Sequence, residues 1–212
     1  KLFEENIIDV IAPSNFAFTF WHEKFGKPEV KSHIVPNAHL EWQNKIELHQ
    51  PQAETSLRIA HIGYPVKHKG WATFLSLAEQ FRNKPKYKFY LFSSSSVRRG
   101  NFKCVNVSVT KKNRNRMVQE LSNYNIDVAI LWSSCPETFS FTMYEALAAS
   151  CFILTNPLSG NIQDYIKKNP MQGLVLDNEQ RLFDLFASHE IENLIEIYQK
   201  NGKPHGKIVF LG

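Results

Sequence analysis

The sequence predicts an α/β fold in which a Rossmann-like parallel sheet carries helices on both faces. Between residues 57 and 202, short apolar segments typical of buried strands alternate with amphipathic segments typical of helices. Strands joined through helices of this length need right-handed crossovers, which make the sheet parallel and cover both of its faces. The 212 residues are 43% hydrophobic and include 16 Phe, 7 Tyr and 4 Trp, which is enough apolar surface for one substantial core.

The first 56 residues predict a small set of elements outside this alternation. Residues 7–12 form an apolar strand-like run, and a Ser-Asn pair caps a helix over 16–25 whose aromatic residues have helical spacing. Residues 31–35 predict a second strand, and the polar stretch 41–55 predicts a connector. We therefore expect residues 1–56 to be the remnant of a preceding domain together with an interdomain linker.

The elements of the main domain follow in order over residues 57–202. Its predicted strands cover 58–63, 87–92, 104–109, 126–132, 152–155 and 173–176. Its predicted helices cover 70–82, 114–124, 141–149, 160–168, 182–186 and 191–198. The last segment, residues 203–212, has two interpretations: a tail that packs back on this domain, or the first strand of a following segment.

Composition narrows the class of protein without naming a ligand. The net charge of +5 indicates an anionic partner or a solvated basic face. Much of the excess charge lies in Arg98, Arg99, Lys103, Lys111, Lys112, Arg114 and Arg116. Such a cluster suits nucleic acid, anionic lipid or a phosphorylated ligand, but no zinc-finger spacing or RNP-type motif supports nucleic acid, and we expect none.

Cysteine and histidine usage predicts neither disulfides nor a metal site. Cys104, Cys135 and Cys151 are odd in number and share no metal-type spacing, which is typical of reduced thiols in a cytosolic protein. The histidines have no ligand spacing either, so we expect no metal and no cofactor. No apolar run is long enough to span a membrane and no signal-peptide pattern opens the chain. We expect a cytoplasmic protein, with contact at a membrane surface as an alternative.

Three loops follow predicted strands, where parallel sheets bind their ligands. The first loop, residues 63–70 (GYPVKHKG), places two lysines and a glycine before a helix, which suits a phosphate group or is simply a solvated turn. The second loop, residues 133–140, leads into a helix. The third loop, residues 156–160, is a small-residue turn that either closes around a ligand or caps the next helix.

The second loop and its helix carry the most distinctive chemistry. The amides of Ser140, Phe141 and Thr142 are left unpaired at the start of the predicted helix, and two of these residues add hydroxyls. Glu137 and Glu145 lie eight residues apart and are expected to accept hydrogen bonds from sugar hydroxyls rather than to touch a diphosphate. The alternative is that Glu145 is an exposed helix residue and Glu137 interacts with the helix dipole.

The same segments resemble a known family over residues 14–186. PSNFAFTFWHEKF and VKSHIVPNAHL are similar to its last N-terminal-domain segment and interdomain turn, and RIAHIGYPVKHKG to its Lys-Gly loop. PETFSFTMYEALAAS is similar to its ExxxxxxxE signature, and ILTNPLSGNIQDYI to the strand and turn that follow. In this order, the motifs resemble the C-terminal, donor-binding half of a retaining glycosyltransferase of family 4 (glycosyl transferases group 1), an enzyme of the GT-B type.

The resemblance implies transfer of a sugar from a nucleotide-diphosphate sugar to a hydroxyl acceptor, with retention, in polysaccharide or glycoconjugate synthesis. It implies Glu137 and Lys69 as catalytic residues, with Glu137 near the transferred sugar, Glu145 at the ribose, and Lys69 and the helix amides at the diphosphate. The donor-binding residues it implies are Gly63, Tyr64, Lys69, Phe139, Ser140, Phe141, Thr142 and Glu145. Tyr64 stands where the family often has Arg.

The resemblance also implies partners and limits. We expect the acceptor-binding N-terminal domain to lie outside this sequence, so that this stretch of chain alone transfers no sugar. The acceptor is linked to a membrane lipid in one alternative. Two other functions stay open: a sugar-nucleotide epimerase of related fold, and a non-catalytic binding or structural module within a larger protein.

Overall fold

A computed structural model describes residues 9–25, 31–43, 56–97 and 99–211. Near its start, strand β1 (Val10–Ala12), helix α1 (Asn15–Phe25) and strand β2 (Ser32–Ile34) form a small unit in which the two strands pair in parallel. Ser14 caps α1, because its hydroxyl accepts a hydrogen bond from the Ala17 amide at 3.0 Å.

A third strand, β3 (Ala38–Gln43), lies where the sequence predicts the start of a connector. The prediction is wrong for residues 41–43, and residues 44–55 lie outside the described part of the chain. The strand forms because residues far along the chain supply its backbone partner, which its polar composition does not reveal. Ala38 is fully buried, whereas residues 39–42 are not.

The main sheet is the predicted one. It has six parallel strands in the order β6-β5-β4-β7-β8-β9. Their bounds are β4 (Leu57–Ile62), β5 (Tyr87–Ser93), β6 (Lys103–Asn106), β7 (Val128–Leu131), β8 (Phe152–Thr155) and β9 (Gly173–Val175). β6 ends three residues earlier than predicted because its neighbour β5 ends at Ser93, whose carbonyl accepts the last hydrogen bond, from the Val107 amide at 2.9 Å.

Helices cover both faces of this sheet, as predicted. They are α2 (Trp71–Gln80), α3 (Arg116–Asn123), α4 (Phe141–Ala148), α5 (Asn161–Lys168), α6 (Glu179–Ala187) and α7 (Glu190–Lys200). One buried cluster joins α2, α6 and α7 to the sheet through residues such as Phe74 and Phe186. A second joins α3, α4 and α5 through residues such as Leu121 and Met143. The α/β, Rossmann-like fold class is therefore confirmed.

The chain ends in a strand that returns to the domain. β10 (His205–Phe210) pairs antiparallel with β3, and Ile208 of β10 packs with Ala38 and with Ala148 of α4. Residues 205–210 thus pack against the described part of the chain. The β3–β10 pair thus backs the helix that follows the second loop.

Candidate functional site

The three loops meet where the strand order reverses. β4 lies at the centre of the sheet, with β5 on one side and β7 on the other, so the chain turns away in both directions from the gap between β4 and β7. The first loop follows β4, the second follows β7 and the third follows the adjacent β8. In open α/β sheets, ligands bind in the crevice outside the carboxyl ends at such a switch point.

Gly63 brings the first loop against the start of α4. Its amide donates to the Phe92 carbonyl at 2.8 Å, and its φ of +104° lies in the region that favours glycine. A Cβ built at Gly63 would lie 3.6 Å from the Thr142 methyl carbon. Gly63 and Thr142, distant in sequence, are therefore neighbours across the mouth of the site.

Lys69 and Glu137 form an ion pair across the first and second loops. The side chain of Lys69 is 38% exposed, whereas that of Glu137 is 13% exposed, so the ammonium faces solvent more than the carboxylate does. Gly70 fixes the lysine in this place, because a Cβ there would lie 2.1 Å from the Trp132 carbonyl oxygen. The two residues predicted as catalytic are thus in direct contact.

The backbone of Glu137 joins the second loop to the third. Its amide donates to the Ser159 carbonyl at 3.4 Å, and its carbonyl accepts from the Asn161 amide at 2.8 Å. Gly160 permits this approach, because its φ is +64° and a Cβ there would lie 2.6 Å from the Glu137 nitrogen. The third loop therefore supports Glu137 from behind and also leads into α5.

At the N-terminus of α4, a side chain caps the helix, and two backbone amides have no acceptor among the described residues. The Ser140 hydroxyl accepts from the Met143 amide at 3.3 Å and lies 3.0 Å from the Thr142 hydroxyl. Ser140 is buried, so its hydroxyl caps the helix instead of pointing outward as a spare donor. Among the residues the structure describes, no acceptor bonds the amides of Phe141 and Thr142, and the positive end of the helix dipole lies there.

Glu145 is buried on α4, three residues after Thr142 and so on the same side of the helix. Only 7% of the residue is exposed, and burial raises the pKa of its carboxyl to about 8. Within the described parts of the chain, no group donates a hydrogen bond to this carboxyl. A buried acid without a partner costs stability, and such groups concentrate at binding sites.

Aromatic side chains surround the start of α4. Phe139 stacks on Tyr144 with ring centroids 4.9 Å apart, and it meets Phe141 edge-on at 5.0 Å. Phe141 is 44% exposed and contacts Phe210 of β10 at 6.2 Å. Phe139 therefore supports the second loop from within, while Phe141 presents part of its ring to solvent.

The first loop exposes Tyr64, whose side chain is the most open of the predicted donor-binding residues at 61%. Beneath it lies His61, which is 1% exposed and packs edge-on against Trp71. Burial, together with the charge of Lys69, lowers the pKa of His61 to about 4, despite a hydrogen-bonding contact of 3.4 Å with the Tyr64 carbonyl. Its Nδ1 has no hydrogen-bond partner among the residues that the structure describes.

Two residues of the site have no predicted role. The hydroxyl of Ser133, a buried residue, lies 3.0 Å from the His68 carbonyl oxygen and 3.1 Å from Oε1 of Glu137. Asn156 donates from Nδ2 to the Ser133 carbonyl at 3.0 Å. Their position directly after buried strands is the only sequence signal for them, since a polar residue that ends a buried strand often faces a site.

The basic cluster is dispersed in the structure, and Arg98 lies outside the described residues. Lys103 stands over the Tyr124 ring at 4.7 Å, and Arg114 over the Phe210 ring at 5.0 Å. Arg116 pairs with Glu120 at 2.6 Å. Lys111 and Lys112 are exposed in the turn before α3. These contacts are those of an ordinary basic surface.

Within the described ranges, no three His, Cys, Asp or Glu side chains are grouped so as to hold a metal ion. No helix in this part of the chain is both long and apolar enough to cross a membrane.

Comparisons with known proteins identify relatives by fold only. No protein-family profile and no curated protein sequence matches the chain. Among solved structures, WaaG, a glycosyltransferase involved in lipopolysaccharide biosynthesis, superposes with a TM-score of 0.66 at 12% identity over 94% of this chain. Anabaena HepE in complex with UDP-glucose gives 0.63 at 13% identity over 92%. The pneumococcal O-GlcNAc transferase GtfA, solved with UDP and GlcNAc, gives 0.61 at 14% identity over 91%.

The chain thus has the fold found in GT-B glycosyltransferases. It spans 58% of the length of WaaG, 57% of HepE and 41% of GtfA. A C-terminal domain of a group 1 glycosyltransferase from Francisella tularensis also matches, with a TM-score of 0.51 at 13% identity. It covers 70% of this chain, and this chain covers 84% of it.

Proposed function

We propose that this domain binds a nucleotide-diphosphate sugar and forms the donor-binding half of a retaining glycosyltransferase of the family 4 type. The observation that carries the proposal is the meeting of Lys69, Glu137 and the free amides of α4 at the switch point of the sheet. A lysine ammonium and unpaired helix amides are what a diphosphate needs. The complexes of HepE with UDP-glucose and of GtfA with UDP support the ligand class.

Each group has a role that its environment favours. The ammonium of Lys69 and the amides of Phe141 and Thr142 face the negative charge that grows on the diphosphate as it leaves the sugar, and stabilise it. Glu145 accepts hydrogen bonds from the ribose hydroxyls, because its buried carboxyl has no donor in the described part of the chain. Glu137 stands next to Lys69, where the transferred sugar follows the second phosphate.

The acceptor hydroxyl and the full reaction belong to a longer protein in this proposal. These proteins of similar fold are longer, since the chain spans 58% of WaaG and 57% of HepE. The acceptor-binding domain, an acceptor linked to a membrane lipid, a cytoplasmic location and a role in polysaccharide synthesis are parts of the proposal that follow from the family resemblance.

A binding module without catalysis is the second candidate, and Tyr64 favours it. An arginine at this position would add a second cation for the diphosphate, whereas Tyr64 is 61% exposed and brings no charge. In this function, nucleotide sugar binds without transfer in the full-length protein. A transfer assay with radiolabelled nucleotide sugar and the full-length protein separates the two functions.

Calorimetry with UDP, GDP and ADP tests donor binding directly. We expect one of them to bind, and Lys69→Ala to lower its affinity by about tenfold, the size expected for one charged hydrogen bond. Lys84→Ala is the matched control, because Lys84 lies between α2 and β5 at the amino ends of the strands. The absence of binding by all three nucleotides to the folded wild type would refute the proposed function.

A further inference from the structure

Ser133 occupies an unusual position at the end of β7. It is 2% exposed, and its single hydroxyl lies near three oxygen atoms from both the first and the second loops. The distances are 2.8 Å to the Cys135 carbonyl, 3.0 Å to the His68 carbonyl and 3.1 Å to Oε1 of Glu137. All three oxygens accept, and a serine hydroxyl has one proton, so it donates to one of them at a time.

The backbone around Ser133 is held independently of its hydroxyl. The Ser134 amide already donates to the His68 carbonyl at 2.9 Å, and Asn156 holds the Ser133 carbonyl at 3.0 Å. His68 therefore has another donor, and the loops stay joined without the Ser133 proton. Oε1 of Glu137 differs from the His68 carbonyl. Its second donor among the described residues is the side-chain ammonium of Lys69.

Binding of a diphosphate changes the hydrogen-bond partners of the Glu137 carboxylate. In the free protein, the Lys69 ammonium pairs with this carboxylate, whose side chain is 13% exposed. A diphosphate that draws Lys69 toward itself leaves a largely buried carboxylate without its cation. Such a group costs free energy unless another donor replaces the lost partner.

We propose that Ser133 is a positioning residue of the donor site, which donates its proton to Glu137 when Lys69 turns to the diphosphate. The Ser133 hydroxyl then keeps the Glu137 carboxylate in place toward the transferred sugar. This inference rests on the proposed donor binding, and it assigns to Ser133 a role that depends on both the diphosphate and Glu137.

Calorimetry with Ser133→Ala tests this role. The probes are UDP-glucose, GDP-mannose and ADP-glucose, each beside its nucleoside monophosphate, and the pair that the wild type binds is carried forward. We expect Ser133→Ala to lower the affinity for the nucleotide sugar by about threefold to tenfold, the effect of one hydrogen bond to a charged group. The monophosphate affinity should change by less than about twofold, because it has no second phosphate to draw Lys69 away.

Ser134→Ala is the matched control, since its side chain is exposed and its contact with His68 runs through the backbone. The decisive comparison is the double variant. Because Ser133 acts through Glu137, Ser133→Ala should cause no further loss in a Glu137→Ala background, which lacks the acceptor. Ser133→Cys keeps nearly the same volume with a weak donor, and it gives the same comparison where the alanine variant does not fold.

Three outcomes would overturn the role of Ser133 while donor binding stands. These are an affinity of Ser133→Ala equal to that of Ser134→Ala, an equal loss for the sugar nucleotide and the monophosphate, and an additive loss in the Glu137→Ala background. Lack of nucleotide binding by the wild type is a different result, which refutes the proposed function and this inference with it.

Discussion

At the amino ends of β5 and β6, Arg82, Lys88 and Lys103 surround a cavity of about 310 Å³, whereas the carboxyl ends of β4, β7 and β8 carry the three loops of the candidate site. Two of these cations have partners outside the cavity. Arg82 pairs with Glu79, and Lys103 stands over an aromatic ring. This cavity thus lies away from the loops that carry the candidate chemistry.

At the carboxyl ends, several polar groups without partners gather around the three loops. Glu145 has no donor, His61 has a free Nδ1, and the first amides of α4 have no acceptor among the described residues. Two glycines with positive φ, Gly70 and Gly160, hold the loops so close that a Cβ would not fit. Unsatisfied groups and costly backbone geometry indicate a ligand site better than cavity volume does.

Gly70→Ala disturbs the close loop packing at the carboxyl ends and should have the largest effect on stability. An alanine there places Cβ against the Trp132 carbonyl and forces a residue with a side chain into a φ of +76°. We expect the free energy of unfolding to fall by about 2–4 kcal/mol. Urea unfolding measures it.

Gly206→Ala serves as the control for Gly70→Ala. Its Cβ would lie 3.2 Å from the Trp42 ring, which can move slightly, and its backbone is that of a strand. The control should lose about 1 kcal/mol or less. Equal losses in the two variants would show that the first loop is not held by close approach to β7.

Much of this fold was predictable from residues 57–202, because strand and helix periodicity there agrees with the final packing. The α4 segment shows the agreement: its cap at Ser140 and its apolar face both specify a helix. The β3–β10 pair was not predictable in the same way. Its polar strand is stabilised by a partner more than 160 residues later in the chain, and pairing at such distance leaves no local signal.

The position of the site was predictable from the sequence, but the contacts between its side chains were not. Strand ends and motif order placed Lys69 and Glu137 at one edge of the sheet, and the structure adds that they touch. The burial of Glu145 and the contacts of Ser133 depend on how helices pack, which composition does not determine. The carboxyl of Glu145 therefore had two open interpretations in the sequence, and its 7% exposure excludes the exposed one.

Glu145→Gln should stabilise the ligand-free protein, by less than Gly70→Ala destabilises it. Burial raises the pKa of Glu145 to about 8, so the folded state binds a proton that the unfolded state releases above its ordinary pKa of 4.5. The stability of the wild type therefore falls as the pH rises from about 4.5 to about 8. The variant should match the wild type near pH 4 and exceed it by about 1–3 kcal/mol above pH 7, by urea unfolding at each pH.

Glu192→Gln is the control at the amino ends of the strands, where we expect the opposite effect on stability. Burial acts to raise the pKa of Glu192, but hydrogen bonds with His189 and Tyr87 and the charge of Lys86 hold it below its ordinary value. Its stabilising effect is present above the unfolded pKa and is lost as the pH falls through the folded pKa. Glu192→Gln should thus lose about 1 kcal/mol at pH 7. Stabilisation by both variants would remove the distinction between the two ends.

The same Glu145→Gln variant should bind nucleotide more weakly. A carboxylate accepts from two ribose hydroxyls, whereas an amide has one acceptor oxygen and donors that face the wrong partners. We expect a loss of about 1–3 kcal/mol in binding free energy by calorimetry. A more stable protein that binds less well is the signature of a group kept for its ligand. Unchanged affinity would remove Glu145 from the site.

Arg82→Ala should have the smallest effect, and it tests the amino-end cavity. Arg82 and Glu79 are 54% and 55% exposed, and an exposed ion pair contributes about 0–1 kcal/mol. The cations of this cavity lie at the surface, and its aromatic side chains pack in the core. Nucleotide affinity should therefore stay within about twofold of that of the wild type. Calorimetry with the nucleotide that the wild type binds measures it. A tenfold loss would place an anion at the amino ends of the strands, and unsatisfied polar groups would then be a poorer guide to the ligand than the cavity.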